Sequence, residues 1–204
     1  MVTMKDFDRL TEQEISQRLL NKTPATHDVP QSLLGGYKRQ AGVLVPFVRV
    51  KESWHLLYVR RSEFEDDMHS GQVAFAGGKY EEFDESLEAT ALRETQEEIG
   101  VDPEHVRILG ELSQHHTISK FQVIPFVATM PWPYHLTLEE KEIAHAFTIP
   151  LDWLSNPDNH EVRYRTLEHF DEPVPVVYFD KYDGELLWGA TARMTLSLID
   201  ALRG

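Results

Sequence analysis

Three glutamates, Glu94, Glu97 and Glu98, stand three and four residues apart in the run Arg93-Glu94-Thr95-Gln96-Glu97-Glu98-Ile99-Gly100. On a helix these spacings share one face, within an arc of roughly 100° at about 3.6 residues per turn. Carboxylates held so close repel and raise one another's pKa unless a cation sits among them. An oxygen-only cluster of this kind suits a hard divalent ion, Mg²⁺ or Mn²⁺. Arg93, four residues before Glu97, is placed to hold part of the cluster, and Gly100 is placed to end the helix. A glutamate-rich helix is also an ordinary solvated face, so the flanks carry weight. Gly77-Gly78 follows the apolar run 71–76, read as a short strand, and a short acidic loop joins this glycine turn to the helix.

The elements around the cluster are legible in outline. Residues 11–20 read as a helix, with Thr11 and Glu14 forming a capping box and Ile15, Leu19 and Leu20 an apolar stripe. Residues 21–36, with Pro24, Pro30 and Gly35-Gly36, read as a connection. The Val-rich run 40–50 is a strand, for which Pro46 predicts an edge position or a bulge. Residues 54–60 pair with it across a hairpin turn at Lys51-Glu52-Ser53. Further strands are expected at 106–112, 123–130, 162–166 and 174–179, the last two as a hairpin. Residues 138–147 read as a loop feeding a short strand, 150–154 as a short helix and 188–202 as an amphipathic closing helix. Strands mixed irregularly with a few helices indicate an α+β, or mixed α/β, class.

Composition bounds the function. A chain of 204 residues, 41% of them apolar, can bury one core. Twenty Lys and Arg against 34 Asp and Glu give a net charge of −14. Such a protein is a poor general binder of nucleic acid or anionic membrane, and holds an anionic substrate through a local basic patch or metal ions. No cysteine is present, which excludes thiolate chemistry and disulfides. No run approaches the roughly 18 apolar residues of a membrane span. Residues 1–10 do not read as a signal peptide, nor 201–204 as a peroxisomal address. A cytoplasmic location is expected.

The stretch 77–101 resembles a Nudix box, GX5EX7REUXEEXGU with U a bulky apolar residue. Its second half matches from Arg93 to Val101, with Thr95 in the first apolar position. In the first half, Asp84 stands six residues after Gly78 where the pattern has Glu five intervening residues on, and eight residues separate it from Arg93. Upstream, Leu57-Tyr58-Val59-Arg60-Arg61-Ser62 and Gly71-Gln72-Val73-Ala74-Phe75-Ala76-Gly77-Gly78 resemble the leader of the coenzyme A pyrophosphatase-like subgroup. Ile118-Ser119-Lys120-Phe121, Glu142-Ile143-Ala144 and Trp188-Gly189-Ala190-Thr191-Ala192-Arg193 are similar to later parts of it, so the likeness covers about 39–202. The chain departs from the subgroup at Ala76, where proline is usual, and at Asp67, where a substrate-pairing arginine is usual; His69 keeps its place.

The resemblance implies a Nudix fold, an α/β/α sandwich with a mixed sheet between helices, over residues 37–204, with 1–36 as an N-terminal helix and connection packed on it. It implies hydrolysis of a diphosphate in a small nucleotide-type substrate, coenzyme A or a derivative first. ADP-ribose, NADH or dinucleoside polyphosphates are the alternatives, and a non-catalytic binding or regulatory module is the alternative of another class. On this reading Glu94 and Glu98 ligate Mg²⁺ or Mn²⁺, with Glu97 as ligand or as base through a water, and the Gly77 carbonyl as a further ligand. Arg93 orients the glutamates, and a late loop adds Glu142, ahead of Glu139 and Glu140. Arg61 and Lys79 are candidates for substrate phosphates; Glu142, Arg61 and Lys79 read equally as surface charges. His115-His116, adjacent on a strand, would face opposite sides and not share an ion. Phe121 and Trp132 are candidates to stack a base or to fill the core. Members of the family are frequently homodimers. Replacing Glu97 or Glu98 with Gln is expected to abolish turnover and leave the circular dichroism spectrum intact; unaltered turnover would reject this site.

Overall fold

The computed structural model describes residues 7–20, 39–63, 70–166 and 173–204. Asp67, His69 and the expected connection 21–36 lie outside the described residues.

The longest strand, β1 (Arg39–Val50), is the hub of the main sheet. Along one edge it runs parallel to β7 (Phe121–Thr129), from Arg39 opposite Phe121 to Phe47 opposite Thr129. Along the other it meets two antiparallel partners in turn. Ala41 to Val43 pair with β4 (Gly77–Lys79), and Phe47 to Val50 pair with β2 (Ser53–Arg61). Beyond β2 lie β3 (Val73–Ala74) and β8 (Ile143–Pro150). Beyond β7 lie β5 (Arg107–Glu111) and β6 (His115–His116).

Two readings of this region need correction. Pro46 sits in a central strand, not at an edge. It occupies the interval where β1 passes from one antiparallel partner to the next. Leu44 donates across that edge to the Ala76 carbonyl at 2.8 Å, and the backbone N of residue 46 points the same way, where no partner strand is in register. The missing N–H therefore breaks no ladder rung. The double glycine, in turn, is not a turn: Gly77 and Gly78 are strand residues of β4, and the strand before them is only Val73–Ala74.

Both faces of the sheet are covered, so its central strands are apolar on both sides. Ile124, Phe126 and Ala128 of β7 and Leu44 of β1 face α2 (Leu87–Ile99), against Leu87, Ala91 and Leu92. Val123 and Val127, one step out of phase, face the larger core with Val45 and Phe47. That core also holds α1 (Glu12–Leu19), α4 (Gly189–Arg203) and the hairpin of β9 (His160–Arg165) with β10 (Val174–Phe179). A short helix, α3 (Leu151–Ser155), continues β8. The result is a mixed sheet between helices, as expected of the α+β class. Helix α1 begins in the expected capping box: Glu14 N–H donates to Thr11 Oγ1 at 3.2 Å and Thr11 N–H to Glu14 Oε2 at 2.9 Å.

Helix α2 carries the glutamates, and three local features fix its position. Ser86 caps its start, accepting from Ala89 N–H at 3.1 Å. Gly100 ends it in the left-handed conformation, φ 72°. Thr95, in the box's apolar position, is fully buried and satisfies its hydroxyl on the Ala91 carbonyl at 2.7 Å. The helix also lies unusually close to β1. A Cβ at Gly42 would run into the carbonyl oxygen of Leu87. Gly42→Ala is accordingly expected to destabilise the protein by about 1–3 kcal/mol, the usual cost of overpacking, read as a lower urea midpoint; an unchanged midpoint would contradict the close contact.

Candidate active site

The glutamate face of α2 opens into a cavity of about 380 Å³, lined by Glu94, Glu97, Glu98, Glu139, Lys141 and Glu142. Helical spacing brings the first three together, and the loop before β8 supplies the rest. That loop is tied down at both ends. Glu139 N–H donates to the Glu98 carbonyl at 2.9 Å, and Ser62 N–H donates to the Glu142 carbonyl at 2.8 Å. Glu142, the expected late glutamate, is thereby close enough to raise the pKa of both Glu94 and Glu98.

The three helix glutamates differ in exposure. The Glu97 side chain is 59% exposed, Glu94 19% and Glu98 only 5%. Burial pushes the Glu98 carboxyl up to about 7, with Glu94 and Glu142 adding to the rise; the Gly77 N–H, 3.1 Å from Oε2, and Arg61, 3.8 Å from Oε1, pull it back. Glu94 is raised too, first by burial, and Arg93 opposes this. Burying like charges together is costly without a compensating cation.

Arg93 holds the cluster from the solvent side. Its Nη1 lies 2.7 Å from Glu94 Oε1 and 3.0 Å from Glu97 Oε2. Its Nε and Nη2 meet the two oxygens of Asp84 at 2.8 and 3.0 Å. Asp84 also accepts from Thr90 Oγ1 at 2.8 Å and from Glu81 N–H at 3.0 Å. These bonds, Arg93's first, hold the Asp84 carboxyl well below the usual range. The residue that departs from the box pattern is therefore the anchor of the arginine.

The donor set fits a hard divalent cation: oxygen atoms only, negatively charged, with one carboxylate buried at an energetic cost that a cation removes. Gly78 lets the Glu94 carboxylate lie against the β4 backbone, because a Cβ there would collide with it. No three acidic or histidine side chains among the described residues converge as placed to hold one ion. Glu94 is turned to Arg93 and Glu98 to Gly77, so joint ligation requires rotation of their side chains.

On the far side of β4 lies a second cavity, a cleft of about 570 Å³. Arg61, Gly77, Gly78 and Lys79 line its near end, and apolar residues dominate its walls. Arg61 thus reaches both the cleft and Glu98. Lys79 is more exposed and pairs with Glu81 at 3.1 Å. Phe121 lines this cleft, whereas Trp132 packs into a separate apolar cluster. His115 and His116 are both buried in β6 and line neither cavity. Lys141 of the acidic cavity, and Arg165 and Arg193 of the cleft, are positions that sequence reasoning did not single out. Arg193 closes the segment Trp188–Arg193 that carried part of the family likeness, the one signal that pointed to it.

The sequence pattern of the NUDIX domain family matches residues 38–170. Among similar proteins, an "Uncharacterized Nudix hydrolase NudL" of Enterobacter sp. (strain 638) is 37% identical over 158 residues, covering 76% of this chain and 78% of that protein. One of the same description from Cronobacter sakazakii (strain ATCC BAA-894) is 39% identical over 158 residues, with the same coverage. Among solved structures, a MutT/nudix family protein from Enterococcus faecalis aligns with a TM-score of 0.48 at 18% identity, covering 97% of this chain and 71% of that one.

The burial of Glu98 has a measurable consequence. Its folded-state pKa lies above its unfolded value, so the folded state binds the extra proton between pH 4.5 and about 7. Its contribution to stability therefore falls as pH rises through that window. In chelator-treated protein, Glu98→Gln is expected to be more stable than wild type at pH 8, by an amount on the order of 3 kcal/mol at most, and to lose that advantage at pH 4. Adding Mg²⁺ at pH 8 is expected to raise the Tm of the wild type but not of Glu98→Gln; equal responses would contradict the ligand assignment.

Proposed function

We propose a reaction from one established premise: the chain belongs to the NUDIX domain family and is a Nudix hydrolase. Its substrate is a nucleoside diphosphate linked to a second moiety, and the observation that carries this reading is that Glu94 and Glu98 of the acidic cavity lie against β4, the strand that lines the cleft. The carboxylate face of α2 and the basic end of the cleft meet across the three residues of β4, where Gly77 and Gly78 interpose almost no side-chain bulk. A diphosphate lying over that strand would have Arg61 and Lys79 beside its oxygens and the glutamates at its phosphorus.

Water adds to one phosphorus, the bridging P–O bond breaks, and two phosphate-terminated fragments leave. Glu94 and Glu98 would hold Mg²⁺ or Mn²⁺, with the Gly77 carbonyl beside them. When bound, the ion offsets the charge that builds on the phosphoryl oxygens and makes water a usable nucleophile near neutral pH. Glu97, the exposed member of the triplet, is available as a further ligand or as the base that takes the proton from water. Arg93 keeps Glu94 and Glu97 apart and aimed, with Asp84 fixing Arg93 in turn. Glu142 closes the acidic cavity from the loop before β8. On this reading the stretch 37–204 carries the reaction; of the residues before it, Phe7, Ile15 and Leu19 are seated in the main core.

Coenzyme A or a derivative is the first-choice substrate, supported by the leader from Leu57 to Ser62 and from Gly71 to Gly78. ADP-ribose, NADH and dinucleoside polyphosphates share the scissile group. No helix among the described residues is long and apolar enough to cross a membrane. A panel of these compounds with Mg²⁺ or Mn²⁺, products resolved by chromatography, is expected to show 3′,5′-ADP and phosphopantetheine from coenzyme A. Turnover of another member without these products would overturn the coenzyme A assignment, and no turnover of any would overturn the proposed reaction.

A further inference from the structure

Helix α2 buries two threonines completely, Thr90 and Thr95. A buried hydroxyl needs an acceptor, and inside a helix the nearest is the carbonyl four residues back. Thr95 uses it, donating to the Ala91 carbonyl at 2.7 Å. Thr90 is different. Its Oγ1 lies 3.2 Å from the Ser86 carbonyl but 2.8 Å from Asp84 Oδ2. A hydroxyl has one proton, and the shorter contact, to an ionised acceptor, is the stronger. Valine would fill the same space; the hydroxyl serves Asp84.

Asp84 meets Arg93 as a fork, Nε on Oδ1 at 2.8 Å and Nη2 on Oδ2 at 3.0 Å. Rotation of the carboxylate about its Cβ–Cγ bond would open that fork. Two donors from opposite sides of the chain oppose the rotation at Oδ2: Glu81 N–H from the loop, at 3.0 Å, and the Thr90 hydroxyl from the helix. Both also help to hold the carboxyl ionised. Fixing the fork fixes the remaining nitrogen, Nη1, which lies 2.7 Å from Glu94 Oε1 and 3.0 Å from Glu97 Oε2. Thr90 stands three residues before Arg93 and four before Glu94, so hydroxyl, guanidinium and carboxylate share one stripe of the helix.

We propose that Thr90 is a positioning residue of the active site: its hydroxyl locks the Asp84 carboxylate, and through Asp84 and Arg93 it sets where Glu94 and Glu97 stand. This rests on the hydrolase reading above and adds a residue to it that touches neither ion nor substrate. Loss of the hydroxyl lets Asp84 turn and Arg93 drift toward the glutamates, where it competes with a divalent ion for their oxygens. Groups that orient metal-binding carboxylates in this way are typically worth about tenfold or more in metal affinity or activity.

The second buried threonine supplies the control. Thr90→Val and Thr95→Val each remove one buried hydroxyl from the same helix and keep the side-chain shape, but only the first reaches Asp84. Calorimetry on the full chain measures Mn²⁺ affinity, and kcat and KM are measured on coenzyme A and ADP-ribose with Mg²⁺. Thr90→Val is expected to bind Mn²⁺ about tenfold more weakly and to lower kcat with KM unchanged, since Thr90 makes no substrate contact. Thr90→Ser, which keeps the hydroxyl, is expected to restore both, and Thr95→Val to keep both. Wild-type Mn²⁺ affinity and kcat in Thr90→Val, or equal losses in the two valine variants, would reduce Thr90 to a structural role and overturn the proposal. Should Thr90→Val not fold, Thr90→Ala is read by the same criteria. Weakened Mn²⁺ binding in Thr90→Val, with no hydrolysis of any diphosphate by the wild type, would uphold the hold of Thr90 on the glutamates and sink the reaction. Hydrolysis untouched by Thr90→Val would do the reverse.

Discussion

Arg93 divides one guanidinium among three carboxylates, and most of the site's geometry follows from that division. Two of its nitrogens grip both oxygens of Asp84, and the third spans Glu94 and Glu97. Asp84, 3% exposed at its side chain, belongs to the loop before α2, so the pair welds that loop to the second turn of the helix. Removing one partner of such a buried pair costs about 3–5 kcal/mol, because the other charge is stranded. The irregular first half of the box gains a physical meaning here. Aspartate is one methylene shorter than glutamate, and the loop is one residue longer than the general pattern.

Two carboxylates of this region sit at opposite ends of the titration range. Asp84 is held ionised by Arg93, Glu81 N–H and Thr90, whereas Glu98 is pushed up to about 7 by burial among other carboxylates. Neighbouring groups driven apart in this way mark different roles. Asp84 has every oxygen satisfied and nothing left to offer a ligand. Glu98 is short of positive charge, with a single N–H at hydrogen-bond distance and Arg61 farther off. The first arrangement is complete within the protein, and the second is the one to which the proposed reaction assigns a cation.

Much of this was legible in the chain because it is local. Spacing alone put Glu94, Glu97 and Glu98 on one face and Arg93 over Glu97, and the Thr11 and Gly100 caps follow from side-chain chemistry within one turn. The hairpins at Lys51-Glu52 and between β9 and β10 follow from apolar runs separated by short polar stretches. Readings that failed depended on partners remote in sequence. Pro46 looks unfit for a central strand until two different partners are seen to leave a gap beside it. Gly77-Gly78 looks like a turn until β1 is seen to pair with it, Gly42 opposite Gly78 and Val43 opposite Gly77. Arg165 and Arg193 carry no periodic or motif signal that links them; only the packing of the β9–β10 hairpin and α4 over the sheet brings them to one cavity.

The three-residue strand β4 then has the most to do. Through its backbone, Gly77 gives its N–H to Glu98 and Lys79 its carbonyl to Arg93, at 3.1 and 3.4 Å. Through its missing side chain, Gly78 lets Glu94 lie against the strand. The same three residues line the basic cleft on the other side. A wall this thin keeps a carboxylate cluster and a cationic cleft apart while leaving them within reach of one ligand. A bulkier residue at Gly78 would displace Glu94 and thicken the wall together. On the proposed reaction, a diphosphate with its divalent ion would bring a cation to the acidic face and phosphate oxygens to Arg61 and Lys79, at the strand that separates the two.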